Sequence, residues 1–120
     1  IQPVLKQVEL EGDLVIPNTI TSIGGTSFSQ SKLTSVIIPS SVDTIGDSAF
    51  YMCEHLISVI LCDGIKCGIE DMAFAECTNL TSVYIPDKCS PISSNAFLNV
   101  PHIEYHGKEV YRPFGAKSIN

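Results

Sequence analysis

The string LTSVIIP at residues 33–39 returns as LTSVYIP at 80–86, with LISVILC at 56–62 between them and a degraded copy, DLVIP, ending at Pro17. Repetition at a fixed step constrains a fold more than any other sequence feature, because a unit too short to bury its own apolar face has to be covered by its neighbours. Other landmarks keep the same step. Phe28, Phe50, Phe74 and Phe97 are 22, 24 and 23 residues apart, and Pro17, Pro39, Cys62 and Pro86 are 22, 23 and 24 apart. Leu33, Leu56 and Leu80 step by 23 and 24, so the period is close to 23 throughout. A repeat of this length is one coil of a solenoid.

Within one coil, alternation fixes direction. Leu33, Val36 and Ile38 point to one side of a strand, and Ser35 and Ile37 to the other. Pro39 ends the strand, since it cannot donate to a ladder and disfavours helix just before it. Val42 and Ile45 supply the next inward side chains, and the segment DSAF at 47–50 turns the chain with Phe50 as its buried plug. Asp47 or Ser48 is placed to cap a helical turn there. Stacked coils then hydrogen-bond strand to strand at about 4.8 Å and present the same side chain to the same interior column. Phe28, Phe50, Phe74 and Phe97 should form one such column.

LTSVIIPSSVDTIGDSAFYMC, together with LTSVYIP and the following AF, resembles the BspA-like (treponemal-type) leucine-rich repeat family over roughly residues 11–100. The resemblance implies a right-handed leucine-rich-repeat solenoid of about four repeats of 23 residues, with a parallel β ladder on the concave face and short helical turns on the convex face. It also implies a surface or secreted setting and a non-catalytic adhesion or binding scaffold that needs no cofactor. The partner would be a protein, of host or matrix origin if the chain is surface-displayed.

The departures from the pattern are local. The third repeat, CDGIKCGIEDMAF, has Cys62 in the proline position and one extra residue before Phe74, so its coil should bulge. The fourth has Cys89 where Val42 stands and PIS in place of TIG. Residues 1–10 read as an N-terminal flank, 11–100 as the solenoid, and 101–120 as a C-terminal cap that recovers one short strand in VPHIEYHG, with Tyr111 and Phe114 packing onto the last repeat. The opening IQPVLKQVEL has no basic leader followed by an apolar core. It starts near the middle of a repeat, which reads as a piece cut from a longer array and leaves the compartment open.

Seven basic residues stand against thirteen acidic ones, a net charge of −6, and no Lys/Arg cluster is available to neutralise phosphates, which argues against nucleic acid as a partner. Mean hydropathy is positive at +0.24, yet no apolar run approaches the roughly 20 residues of a membrane span. This segment should not insert into a membrane.

Five cysteines invite chemical readings. Cys53 and Cys77 share a repeat position with Ser31 and Val100, so the slot suits a small, fairly apolar group and a buried thiol fits it. The two could instead form a disulfide between adjacent coils if their Cα atoms lie within about 7 Å. Cys89 reads as a core substitute, and Cys62 and Cys67 as the candidates for exposure. CDGIKC lacks the two-residue spacing and second ligand pair of a zinc site. His55, His102 and His106 make no recognisable dyad with any cysteine, and neither a phosphate-binding glycine loop nor a Gly-x-Ser-x-Gly elbow is present. The N-glycosylation pattern NLT at 79–81 has Leu80, an inward position, in its centre, and turn polarity explains its flanks.

What remains is the outward side of the ladder. One outward position carries Val15, Ile37, Ile60 and Tyr84 in successive coils, and its neighbour carries Asp13, Ser35, Ser58 and Ser82. An apolar stripe flanked by hydroxyls is therefore expected on a rigid sheet, with Tyr84 as the best single anchor. The alternative is that β-branched residues simply favour strands, and that the chain is a structural segment or cap of a larger surface protein with no binding site of its own.

Overall fold

The repeated string becomes a parallel ladder. In a computed structural model, which describes residues 11–86, 88–89, 91–100, 103–107 and 117–118, its four copies are β1 (Glu11–Val15), β3 (Lys32–Ile38), β5 (Ser58–Leu61) and β7 (Ser82–Ile85). Between them run two-residue strands β2 (Ser22–Ile23), β4 (Thr44–Ile45) and β6 (Gly68–Ile69), and the ladder continues with β8 (Glu104–Gly107) and β9 (Lys117–Ser118). The strands form two parallel sheets, one ordered β1-β3-β5-β7-β8-β9 and one ordered β2-β4-β6. Ile69 extends the second by a bridge to Ile92.

Register follows the sequence period without slippage across the middle of the ladder. Val15 pairs with Ile37, Ile37 with Ile60, and Ile60 with Tyr84. Each inward letter of the repeat is buried: Leu33, Val36, Ile38, Val42, Ile45 and Phe50 are all at most 1% exposed. The first pairing carries a bulge between Gly12 and Asp13, and Gly12 has φ of 77°, a left-handed conformation that glycine adopts without strain.

The phenylalanine column forms as the spacing requires. Ring centroids of Phe28 and Phe50 are 5.2 Å apart, those of Phe50 and Phe74 5.0 Å, and those of Phe74 and Phe97 5.2 Å, with interplanar angles of 12° or less. Near-parallel rings at this separation are stacked and add to the burial that holds successive coils together.

The convex segment differs from the expected helical turn. Around Phe50, alternate amides bond within the coil and to the next one. Ala49, Tyr51 and Cys53 N–H donate to the carbonyls of Gly46, Ser48 and Phe50, whereas Ser48, Phe50 and Met52 N–H donate to Asp71, Ala73 and Ala75. The same alternation runs through Thr26–Ser31 against the second coil. Two left-handed residues flank each central phenylalanine to make this possible: Thr26 and Gln30, Ser48 and Met52, Met72 and Glu76. A helix would have directed every amide inside its own turn, and one turn has too few bonds to compete with a ladder shared between coils. Ser48 therefore caps nothing, and its hydroxyl donates to the Asp47 carboxylate at 2.8 Å.

The bulge of the third coil is resolved between Ile65 and Ile69, where the step to the preceding coil changes from 23 for Val42 and Ile65 to 24 for Ile45 and Ile69. The extra residue turns Cys67 inward, so Cys67, expected to be exposed, is fully buried; Cys62 is half-buried. Cys89 fills the core as its position requires, and all five cysteines are free thiols. At the C-terminal end, the tail that matches no repeat adds a strand all the same, because β9 pairs in parallel with β8, Glu104 opposite Lys117. Tyr111, Phe114 and residues 1–10 lie outside the described residues.

Candidate functional site

Outward side chains of the ladder stand in rows because each strand repeats its neighbour's register. Asp13, Ser35, Ser58, Ser82 and Glu104 make one row, and Val15, Ile37, Ile60, Tyr84 and His106 a second, two residues further along the strands. The register thus stands the eight outward residues expected from the sequence in two adjacent rows. A third row precedes them, Thr34, Ile57 and Thr81, joined by the backbone bonds from Ile57 N–H to Thr34 and from Thr81 N–H to Ile57.

Exposure along the apolar row is uneven. Val15 is 65% exposed and Ile60 42%, while Ile37 and Tyr84 are half-buried. Ile57, 51% exposed, enlarges the patch beside Ile60 and was not singled out from the sequence. Its signal was legible: the slot holds threonine in LTSV and isoleucine only in LISV.

Two carboxylates border the patch, each fixed by hydroxyl donors from another coil. Ser35 and Thr34 hydroxyls donate to Asp13 Oδ1 at 2.7 and 3.1 Å. These bonds, that of Ser35 foremost, lower the Asp13 carboxyl below the ordinary carboxylate value. At the opposite end the Tyr84 hydroxyl donates to Asp63 Oδ1 at 2.7 Å. Tyr84 is thus held by the Cys62–Gly64 turn, in which Gly64 has φ of 86°. No periodic pattern marks Asp63, and only the fold brings it to Tyr84.

The thiols serve the interior. Cys53 Sγ donates to Phe28 O and Cys77 Sγ to Phe50 O, both at 3.1 Å, so one slot makes the same bond in successive coils. The hydrogen bond to Cys53, together with burial, pushes the Cys77 thiol well up. Burial first, then the neighbouring Cys89, raises Cys67 to about 12. Cys67 and Cys77 are therefore poor nucleophiles at neutral pH, whereas the hydrogen bond with Cys77 lowers Cys53 to about 7, and full burial is what keeps that thiol from reagents. Asn79 Nδ2 donates to Glu54 O at 2.6 Å, and the Thr81 hydroxyl to Ile57 O, so the polar ends of NLT brace neighbouring coils. Among the described residues no three His, Cys, Asp or Glu side chains come together as a metal-holding group, and no helix is long and apolar enough to cross a membrane.

A stacked parallel ladder whose coil buries one leucine, four valine or isoleucine side chains and one phenylalanine, as Leu33, Val36, Ile38, Val42, Ile45 and Phe50 do, is the architecture of a leucine-rich-repeat solenoid. Within them the chain belongs to the BspA type leucine rich repeat family, which it matches over residues 6–107 in six copies. It is similar to the crystal structure of a leucine-rich repeat protein from Bacteroides capillosus, with a TM-score of 0.68 and 25% identity, covering 80% of this chain and 76% of that one. It also resembles a leucine rich cell surface protein from Faecalibacterium prausnitzii, with a TM-score of 0.57 and 29% identity over 82% of this chain. The likeness spans 33% of that longer protein. No curated protein matches in sequence. Repeats of this kind are generally non-catalytic and generally mediate protein interactions.

Proposed function

We propose that the chain is a non-catalytic protein-binding module of adhesion type, and that its partner docks on the outer, concave face of the ladder. Val15, Ile37, Ile60 and Tyr84 make the central contact, with Asp13, Ser35, Ser58 and Ser82 as a polar rim. The observation that carries this reading is the contiguous apolar row, joined by Ile57, held in register across four strands instead of scattered over the surface. Side chains so fixed lose little further freedom on binding, and they shed water readily when a partner docks. The likeness to a cell surface protein supports a role outside the cell.

The purely structural reading draws on a different observation, the Tyr84 hydroxyl already engaged by Asp63. Adhesion of beads coated with the chain to surfaces bearing host matrix proteins separates the two. Ile60→Arg should abolish adhesion while leaving circular dichroism and the melting curve unaltered. Undiminished adhesion of that variant would make the stripe strand filler.

A further inference from the structure

The apolar row is bordered by negative charge at both ends. Asp13 lies two residues before Val15 on the first strand, and Asp63 sits over the hydroxyl of Tyr84 on the fourth. Both are exposed, both are anchored by hydroxyl donors, and neither has an ion-pair partner among the described residues. Among the described residues of β1, β3, β5 and β7 the one cation is Lys32, at the strand entry opposite Glu11 and away from the apolar row; beyond Tyr84 the row continues to His106 on β8, and Lys117 on β9 pairs with the acidic Glu104. Chain composition points the same way, with thirteen acidic residues to seven basic.

We infer that the ladder face takes a protein segment whose apolar side chains lie between lysine or arginine residues. This rests on the ladder face being the docking surface, and it names the chemistry of what docks. The row spans three strand spacings, about 14 Å, which an extended segment covers in four to five residues at about 3.3 Å each. As the apolar centre closes, water leaves and the effective dielectric at its margin falls, so cations placed over Asp13 and Asp63 gain attraction. An acidic segment, or an anionic lipid surface, meets repulsion at the same two places.

The test pans a random dodecapeptide library on the parent chain and counter-selects on Ile60→Arg, so that recovered peptides depend on the apolar row. The expected peptides carry Lys or Arg on both sides of an apolar stretch. Their affinity should fall about three- to tenfold in Asp13→Asn/Asp63→Asn, the range for two exposed ion pairs, and should fall with added salt. Asparagine keeps an acceptor for Ser35, Thr34 and Tyr84, so the double variant should melt as the parent does. Ile60-dependent peptides that are neutral or acidic, or indifferent to the double variant, would overturn the inference while leaving the docking face in place. Recovery of no Ile60-dependent peptide would overturn the docking face and the inference with it.

Discussion

Replacing Phe50 by alanine removes the centre of the phenylalanine column, and the structure sets how much that costs. The ring is fully buried and is stacked on both faces, at 5.2 Å against Phe28 and 5.0 Å against Phe74. Truncation of a buried phenylalanine costs about 3–5 kcal/mol through lost transfer energy and the cavity left behind. Two broken stacks place Phe50 at the upper end, near 5 kcal/mol. The cavity cannot collapse easily, because backbone bonds from Phe50 N–H to Ala73 and from Phe28 N–H to Ala49 hold the coils at fixed spacing on either side. Phe28 provides the internal control: it has one stacked neighbour, is half-buried, and should lose about half as much. A domain of this size has about 6–18 kcal/mol in all, so Phe50→Ala should consume about a quarter of it or more. Denaturant titration followed by circular dichroism measures both variants. Equal midpoint shifts for Phe28→Ala and Phe50→Ala, or a nearly unchanged midpoint for Phe50→Ala, would refute the column as the centre of the core.

Gly46→Ala should destabilise by about 2–3 kcal/mol or prevent folding, because its Cβ would fall 2.7 Å from Gly25 N and 2.9 Å from Ile23 O, backbone atoms that cannot swing aside; thermal melting reads this directly. Thr26→Gly should stabilise by about 0.5–1 kcal/mol, since a β-branched residue is strained at φ of 60° and its hydroxyl only reaches Gly25 O, and a lowered melting temperature would contradict the turn geometry. Thiol titration at neutral pH should find Cys62 alone reactive in the folded chain and all five thiols in denaturant. Cys67 is raised from 9.0 to about 12, so its stabilising contribution is fully present below pH 9.0 and is lost as pH rises from there towards about 12. Cys67→Ala should flatten the alkaline limb of the stability profile measured by urea denaturation, and an unchanged slope would place that thiol in water.

The step of 22 to 24 residues determined most of the architecture by itself. Stacking translates one coil onto the next, so a letter at a fixed offset meets the same surroundings each time. This is why Leu33, Val36, Ile38 and Phe50 were legible as core, and why alternation from Val36 to Ile38 and its copies placed Ile37, Ile60 and Tyr84 on the outer face. Features that depend on contacts between coils were not legible in the same way. The turn around Phe50 is spelled like a helix start, yet it gives alternate amides to the next coil and adopts left-handed φ at Ser48 and Met52, because only assembled coils offer those carbonyls. Cys67 lies in an insertion that reads as an exposed bulge, and burial beside Cys89 became visible only with the neighbouring coil in place. Tyr84 and Asp63 are joined by a side-chain bond across 21 residues that no period predicts. Local letters repeat the backbone environment, so the sequence determined which side chains face in and which face out. Which outward groups bind one another, and what charge borders the apolar row, was decided by distances that exist only once the coils have stacked.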